Sequence, residues 1–302
     1  MQFIVILVIA FAPGVFWLWM VYRRDRYRPE PRMLVVRTFI WGMVVSIPVA
    51  VLEFGLIFIA DPEAIIFPEV GTLSLGTAAY MSFVVAGVTE ELGKYLVVRR
   101  TVYRSPYFDE PMDGLVYASA SALGFASLEN VGYLLTYGWE LILLRGPFST
   151  LAHVLFSAMW GYPLGVSKVR QKGMRAWTLL GLLCSMVAHG LFNFLIFTQS
   201  TYSLLVIPLF LGTGAVFFFM MRRATRLSPF REMVGQLLVA CPNCGGKMPY
   251  YASFCMACGS ELGEARRDGP AFCGKCGVAL NQDAAFCTSC GSRILRSLSK
   301  QQ

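Results

Sequence analysis

Charge is what this sequence is shortest of. Only 15% of its 302 residues are Asp, Glu, Lys or Arg, against 56% hydrophobic, and the mean hydropathy is +0.57. An ordinary soluble domain carries about a quarter charged residues, so a water-solvated globule is excluded for most of the chain. Histidine is scarcer still, with two positions, His153 and His189. The pattern HExxH is absent, which excludes the paired-histidine helix of the familiar soluble zinc peptidases. No basic segment precedes the first apolar run, and no small-x-small cleavage site follows it. Residues 2–22 are therefore expected as an uncleaved first span, not a removable signal. Before residue 240 there is one cysteine, Cys184, read as a packing residue.

What is abundant is apolar sequence in runs of bilayer length, about 20 residues each. Seven spans are expected, at 2–22, 33–59, 73–98, 112–137, 148–167, 176–198 and 203–221. Lys and Arg fall on alternate connections. Sixteen flank the ends of spans one, three, five and seven, among them Arg23, Arg24, Arg99, Arg100, Lys168 and Arg222, against Arg145 alone on the other side. Basic loops stay inside. The expectation is an all-α polytopic membrane bundle with its N-terminus outside and its C-terminus cytoplasmic. The net charge of +8 is then a topology signal, not a nucleic-acid footprint.

Against that apolar background the ionisable residues stand out, because such groups are costly in a membrane and face a protein interior or a wet cavity. They are Glu53, Glu90, Glu91, Lys94, Glu129, His153 and His189. Glu90 and Lys94 are four apart, as are Phe125 and Glu129, and His189 and Asn193, so each pair shares a helix face. Glu53 has no helical partner and is read as structural. The fourth span is rich in small residues, "DGLVYASASALGFAS", which lets helices approach closely and places it centrally. A Glu–Lys pair can be a self-neutralising bridge, and a membrane histidine an interhelical hydrogen-bond partner. Convergence from four consecutive spans favours chemistry: a carboxylate that draws a proton from water, with His and Asn donors for the oxyanion formed at a carbonyl. The same groups could ligate zinc or relay protons in a transporter.

Four blocks carry a resemblance: "EELGK" (Glu90, Glu91, Lys94), "DGLVYASASALGFASLEN" (ending at Asn130), "HVLFSAMWGYPLG" (from His153) and "HGLFNF" (from His189). In order and spacing they resemble the PrsW family of membrane proteases, relatives of the type II CAAX prenyl endopeptidases. The resemblance implies an intramembrane glutamic-type protease that cleaves membrane-anchored regulators such as anti-sigma factors. It implies that Glu90 and Glu91 supply the water-activating base with Lys94 orienting one of them, that Glu129 and His153 line the site, and that His189 and Asn193 stabilise the oxyanion. Which glutamate is the base, and whether the site uses a metal, stay open. Counting about 1.5 Å per residue sets Glu90 roughly 10 Å nearer the cytoplasmic side than Glu129, His153 and His189. A third helix starting near Tyr80, or longer cytoplasmic helix ends, would close that offset.

The tail differs in kind. Cys241, Cys244, Cys255 and Cys258 form two CxxC pairs ten residues apart, and Cys273, Cys276, Cys287 and Cys290 repeat them with a period of 32. This reads as two small β-rich four-cysteine zinc ribbons, each zinc structural because four thiolates leave no open position. A cytoplasmic location argues against disulfides. The expected organisation is a membrane protease domain over 1–227, a linker over 228–240, and ribbons over 241–262 and 263–302. The ribbons are expected to contact a cytoplasmic protein; nucleic acid is not expected, since no dense basic and aromatic face is present. The competing function is a non-catalytic receptor or scaffold that recruits a partner through its ribbons.

Overall fold

A computed structural model describes residues 2–60, 74–170, 175–198, 200–231, 238–249, 257–260, 271–272 and 279–280. The chain divides into two units, Met1–Ser228 and Pro229–Gln302.

The first unit is helical. α1 spans Gln2–Tyr22 and α2 Arg32–Ala60. α3, Leu75–Ala79, is capped by Ser74, whose hydroxyl accepts from Thr77 N. It runs directly into a π-helical segment, Tyr80–Val88, and then into α4, Thr89–Thr101. α5 covers Pro111–Tyr137, α6 Trp139–Arg170, α7 Arg175–Phe197, and α8 Val206–Leu227 after a 3-10 turn over Thr201–Leu205. Among the described residues three stretches are long and apolar enough to cross a membrane, Arg32–Ala60, Arg175–Phe197 and Thr201–Leu227, with a shorter apolar helix at Ile6–Tyr22.

Two expected boundaries differ. Residues 138–147, expected as a loop, hold only a one-residue break: Gly138 takes φ +84°, a conformation open to glycine, and α6 starts at Trp139. The third span is three successive helical pieces, not one α-helix. Because π-helical turns hold more residues, Tyr80–Val88 advances less along its axis than an α-helix would. α4 and α6 also run three residues beyond the expected ends, to Thr101 and Arg170. The slower rise of Tyr80–Val88 and the longer α4 both act in the direction that reduces the depth offset between Glu90 and the histidines.

α5 occupies the centre, packed mainly on α6 and α2, then on α1. Its start is written in the sequence: Pro111 fills the first turn, and Glu110 and Asp113 form a reciprocal capping box. Glycine permits the packing. A Cβ on Gly124 would sit 1.9 Å from Phe39 O of α2, and one on Gly114 would sit 2.1 Å from Gly161 O of α6. The core here contains Trp160, Tyr117, Phe108, Leu115 and Leu123, all buried. Large apolar side chains such as Phe54, Leu183, Leu211 and Phe219 face outward instead, as a lipid-solvated surface requires. Cys184, expected as a packing residue, is exposed on α7.

In the second unit, β1 (Leu238–Ala240) pairs antiparallel with β2 (Lys247–Pro249), and β3 (Ala271–Phe272) with β4 (Ala279–Leu280).

Candidate active site

Lys94 is the centre of the site. It is fully buried, which a lysine tolerates only when its ammonium is compensated. Its Nζ donates to Glu90 Oε2 and to Glu91 Oε1, each at 2.9 Å, and lies 2.9 Å from His153 Nδ1. It also lies 4.6 Å from the ring centre of Phe125 on α5. Both glutamates are within one turn of the lysine on α4, so local helix geometry makes the triplet and α6 brings the histidine.

The adjacent glutamates have different surroundings. Glu91 is fully buried, and both its oxygens are occupied. Oε1 takes Lys94 and faces His189 Nδ1 at 3.1 Å; Oε2 accepts from Ser157 Oγ at 2.9 Å, Trp160 Nε1 at 3.0 Å and Ser185 Oγ at 2.7 Å. Glu90 has one close partner, Lys94, and two longer approaches, His153 Nδ1 at 3.7 Å and His189 Nε2 at 3.8 Å. It lines a cavity of about 520 Å³ with Glu53, Phe125, Glu129, Tyr133 and Ser46.

The contacts assign the histidine protons. A lysine ammonium only donates, so His153 Nδ1 accepts and Nε2 carries the proton, 3.2 Å from Glu129 Oε2. His189 donates through Nδ1 to Glu91, and its Nε2 lies 3.8 Å from Glu90 Oε2. The two rings meet edge to face, 5.1 Å between centres.

Of the residues singled out from sequence, Glu90, Glu91, Lys94, Glu129, His153 and His189 come together. Asn193 does not join them: it is half-buried one turn beyond His189 and makes no hydrogen bond to the cluster among the described residues. Glu53, read as structural, lies on the cavity wall and accepts from Thr89 Oγ1 at 2.7 Å. Ser157, Trp160 and Ser185 were missed. A signal existed, since they stand four and seven residues after His153 and four before His189, on the same helix faces.

A metal also fits here by donor type. One ligand atom each from Glu90, His153 and His189 lie within 4.8 Å of one another, the donor set of a three-ligand site with an open position. The Glu91 carboxylate on the far nitrogen of His189 is the outer partner a ligating histidine takes.

In the tail, Cys241, Cys244 and Cys258 group together. Cys241 and Cys258 sulfurs are 3.8 Å apart, far beyond a disulfide bond. Tetrahedral thiolates at 2.3 Å from zinc would be separated by about 3.8 Å. Gly245 and Gly259, each following a cysteine, take φ +71°, and Asn243 N points to Cys241 Sγ at 3.4 Å. Cys255, Cys273, Cys276, Cys287 and Cys290 lie outside the described residues.

A second buried polar cluster lies at the end of the helical unit that bears the basic loops. Asp25, Glu30, Glu110 and Asp113 are buried there, with Asp109 beside them. Asp25 Oδ2 accepts from Glu30 N at 3.0 Å, Asp113 Oδ2 from Asp109 N and Glu110 N at 2.7 Å, and Arg28 pairs with Asp109. Tyr117 donates to Glu30 Oε2 and Ser228 to Glu110 Oε2. Burial pushes the Asp25 carboxyl up to about 9, reinforced by Glu110. Burial likewise raises Glu30 to about 7 against the Tyr117 hydrogen bond, and Asp109 to about 6 against the Arg28 charge.

Residues 30–221 match the profile described as PrsW family intramembrane metalloprotease, and residues 241–293 match the double zinc ribbon. Relatives named Protease PrsW include that of Oceanobacillus iheyensis, 30% identical over 219 residues, or 72% of this chain and 95% of the relative. The protein from Bacillus subtilis is 31% identical over 198 residues, 65% of this chain and 85% of the relative. That from Geobacillus kaustophilus is 32% identical over 191 residues, 63% and 79% respectively. No solved structure matches.

Proposed function

The chain belongs to the PrsW family of intramembrane proteases, and from that premise we propose that it hydrolyses peptide bonds of membrane-anchored regulatory proteins, anti-sigma factors among them, with Glu90 as the base. The observation that carries this reading is the contrast between the glutamates. Glu91 has every close acceptor position taken by Lys94, His189, Ser157, Trp160 and Ser185, whereas Glu90 faces the cavity with one close partner. A base must reach water, so Glu90 takes the proton and Glu91 positions Lys94 and His189.

Water held beside Glu90 gives up a proton to it as its oxygen bonds to the scissile carbonyl carbon. The ammonium of Lys94, 2.9 Å from Glu90, offers fixed positive charge to the developing oxyanion. As the C–N bond breaks, the proton passes from Glu90 to the leaving amine. Glu129 holds the His153 ring with Nδ1 turned to Lys94. Asn193 has no place in this scheme. The family description names a metal, and Glu90, His153 and His189 are the residues that would hold it. When bound it would lower the pKa of a coordinated water toward neutrality.

The basic loops support a topology in which the C-terminal ends of α4 and α6, and the tail after Leu227, are cytoplasmic. On this reading 1–227 is the protease, 228–240 a linker, and 241–262 and 263–302 two ribbons, each holding one structural zinc and contacting a cytoplasmic protein.

The test compares new N-termini of membrane proteins in cells carrying wild type, Glu90→Gln, Glu91→Gln or His189→Ala at matched protein levels. Cleavages present with wild type and lost in all three variants identify substrates. Indistinguishable profiles from folded protein would overturn the hydrolytic reading and return attention to a ribbon-borne scaffold.

A further inference from the structure

The acidic cluster at the basic-loop end is separate from the hydrolytic site. It draws on three parts of the fold: the α1–α2 connection with Asp25 and Glu30, the start of α5 with Glu110 and Asp113, and the residue after α8, Ser228. One carboxylate oxygen each from Asp25, Glu110 and Asp113 lie within 4.8 Å of one another, and all three residues are buried.

Helix capping explains part of this. Glu110 and Asp113 close the capping box, and the start of α5 favours negative charge. Capping uses one oxygen of Asp113, however, and leaves the other. Asp113 Oδ1, Asp25 Oδ1 and Glu30 Oε1 are all buried and accept no hydrogen bond. A buried carboxylate oxygen without a donor is costly, and three in one cluster require a common explanation. Arg28 pairs with Asp109 at the side of the cluster, and Lys168 Nζ donates to Tyr103 O at 2.8 Å. A cation small enough to sit among three oxygens would supply the partner these atoms lack.

We propose that Asp25, Glu110 and Asp113 bind a hard divalent cation, Ca²⁺ or Mg²⁺, with Glu30 oriented toward it by Tyr117. An all-oxygen carboxylate set suits these ions and not the thiolate-seeking zinc of the tail. Bound there, the ion joins the α1–α2 connection to the start of α5, the helix that carries Phe125 and Glu129 to the cavity.

Terbium(III) is the probe, a hard-ion analogue whose luminescence is excited through nearby aromatic side chains; Tyr117 is bonded to Glu30. The full chain in detergent is titrated as wild type, Asp25→Asn, Asp113→Asn and Glu90→Gln. The expected result is saturable luminescence in wild type and Glu90→Gln, weakened at least tenfold in Asp25→Asn and Asp113→Asn, and displaced from wild type by Ca²⁺ or Mg²⁺. The more effective competitor identifies the ion. Asp25 lies outside the capping box, so Asp25→Asn decides the matter if Asp113→Asn fails to fold. Wild-type affinity retained in Asp25→Asn, or luminescence abolished by Glu90→Gln and not by Asp25→Asn, overturns the proposal.

Discussion

The two buried polar clusters of the helical unit are both built on carboxylates and reach opposite states of completion. Around Lys94 the charges are supplied within one turn of α4, and the oxygens of Glu91 are filled by donors from α4, α6 and α7. Around Asp25 the carboxylates are assembled from loops and helix ends, and four of their oxygens, on Asp25, Glu30, Asp109 and Asp113, are left over. A saturated network holds one geometry and costs much to disturb, whereas an unsaturated one is set to accept something from outside. The same contrast separates the glutamates: donors fill both oxygens of Glu91, whereas Glu90 faces the cavity with one close partner.

The largest effect expected is on turnover. Glu90→Gln removes the proposed base and should lower cleavage of a reconstituted membrane substrate by about 10²–10⁴-fold, with the melting temperature close to wild type. Equal loss of activity and stability would erase the distinction from Glu91. Lys94→Met leaves two buried carboxylates without their cation and should cost about 3–5 kcal/mol, read as a lower unfolding midpoint in detergent. Ser185→Ala removes one of several donors to Glu91 and should cost about 1.5–3 kcal/mol, with Ser157→Ala similar.

The smallest effect is a pH slope. Asp25, Glu30 and Asp109 have folded-state values raised to about 9, 7 and 6, above the ordinary carboxyl value near 4. The native state thus binds their protons more tightly than the unfolded chain. That contribution is complete below about pH 4 and is lost as pH rises through those folded values. In chelator, thermal stability should fall from pH 5 to 9; millimolar Ca²⁺ or Mg²⁺ should flatten the slope. A slope unchanged by either ion would leave the acidic cluster as a proton store.

The first cluster was readable because its members are rare against apolar sequence: a lysine or histidine in a span draws attention at once. Its supporting donors were not, since serine and tryptophan are ordinary in membrane helices and only their spacing from His153 and His189 marks Ser157, Trp160 and Ser185. Asn193 shows the converse: it shares a helix face with His189, yet among the described residues it makes no hydrogen bond to the cluster. The acidic cluster was hidden for another reason. Positive-inside counting ignores Asp and Glu, and acids in polar loops look solvated. Nothing in the chain order joins Asp25 to Glu110. The one-residue break at Gly138 also escaped notice, because the segment after it carries no turn residues of its own until Gly146.

The burial of α5 bears on how the protein is made. Its 27 residues are long enough to cross, yet it is not among the described helices apolar enough to enter lipid alone. Glycine backbones against Phe39 and Gly161 replace lipid along its faces. During synthesis α1 and α2 are already present when α5 emerges, and α6 follows after a single residue. The packing therefore predicts that α5 inserts together with α6, as a hairpin, and not alone.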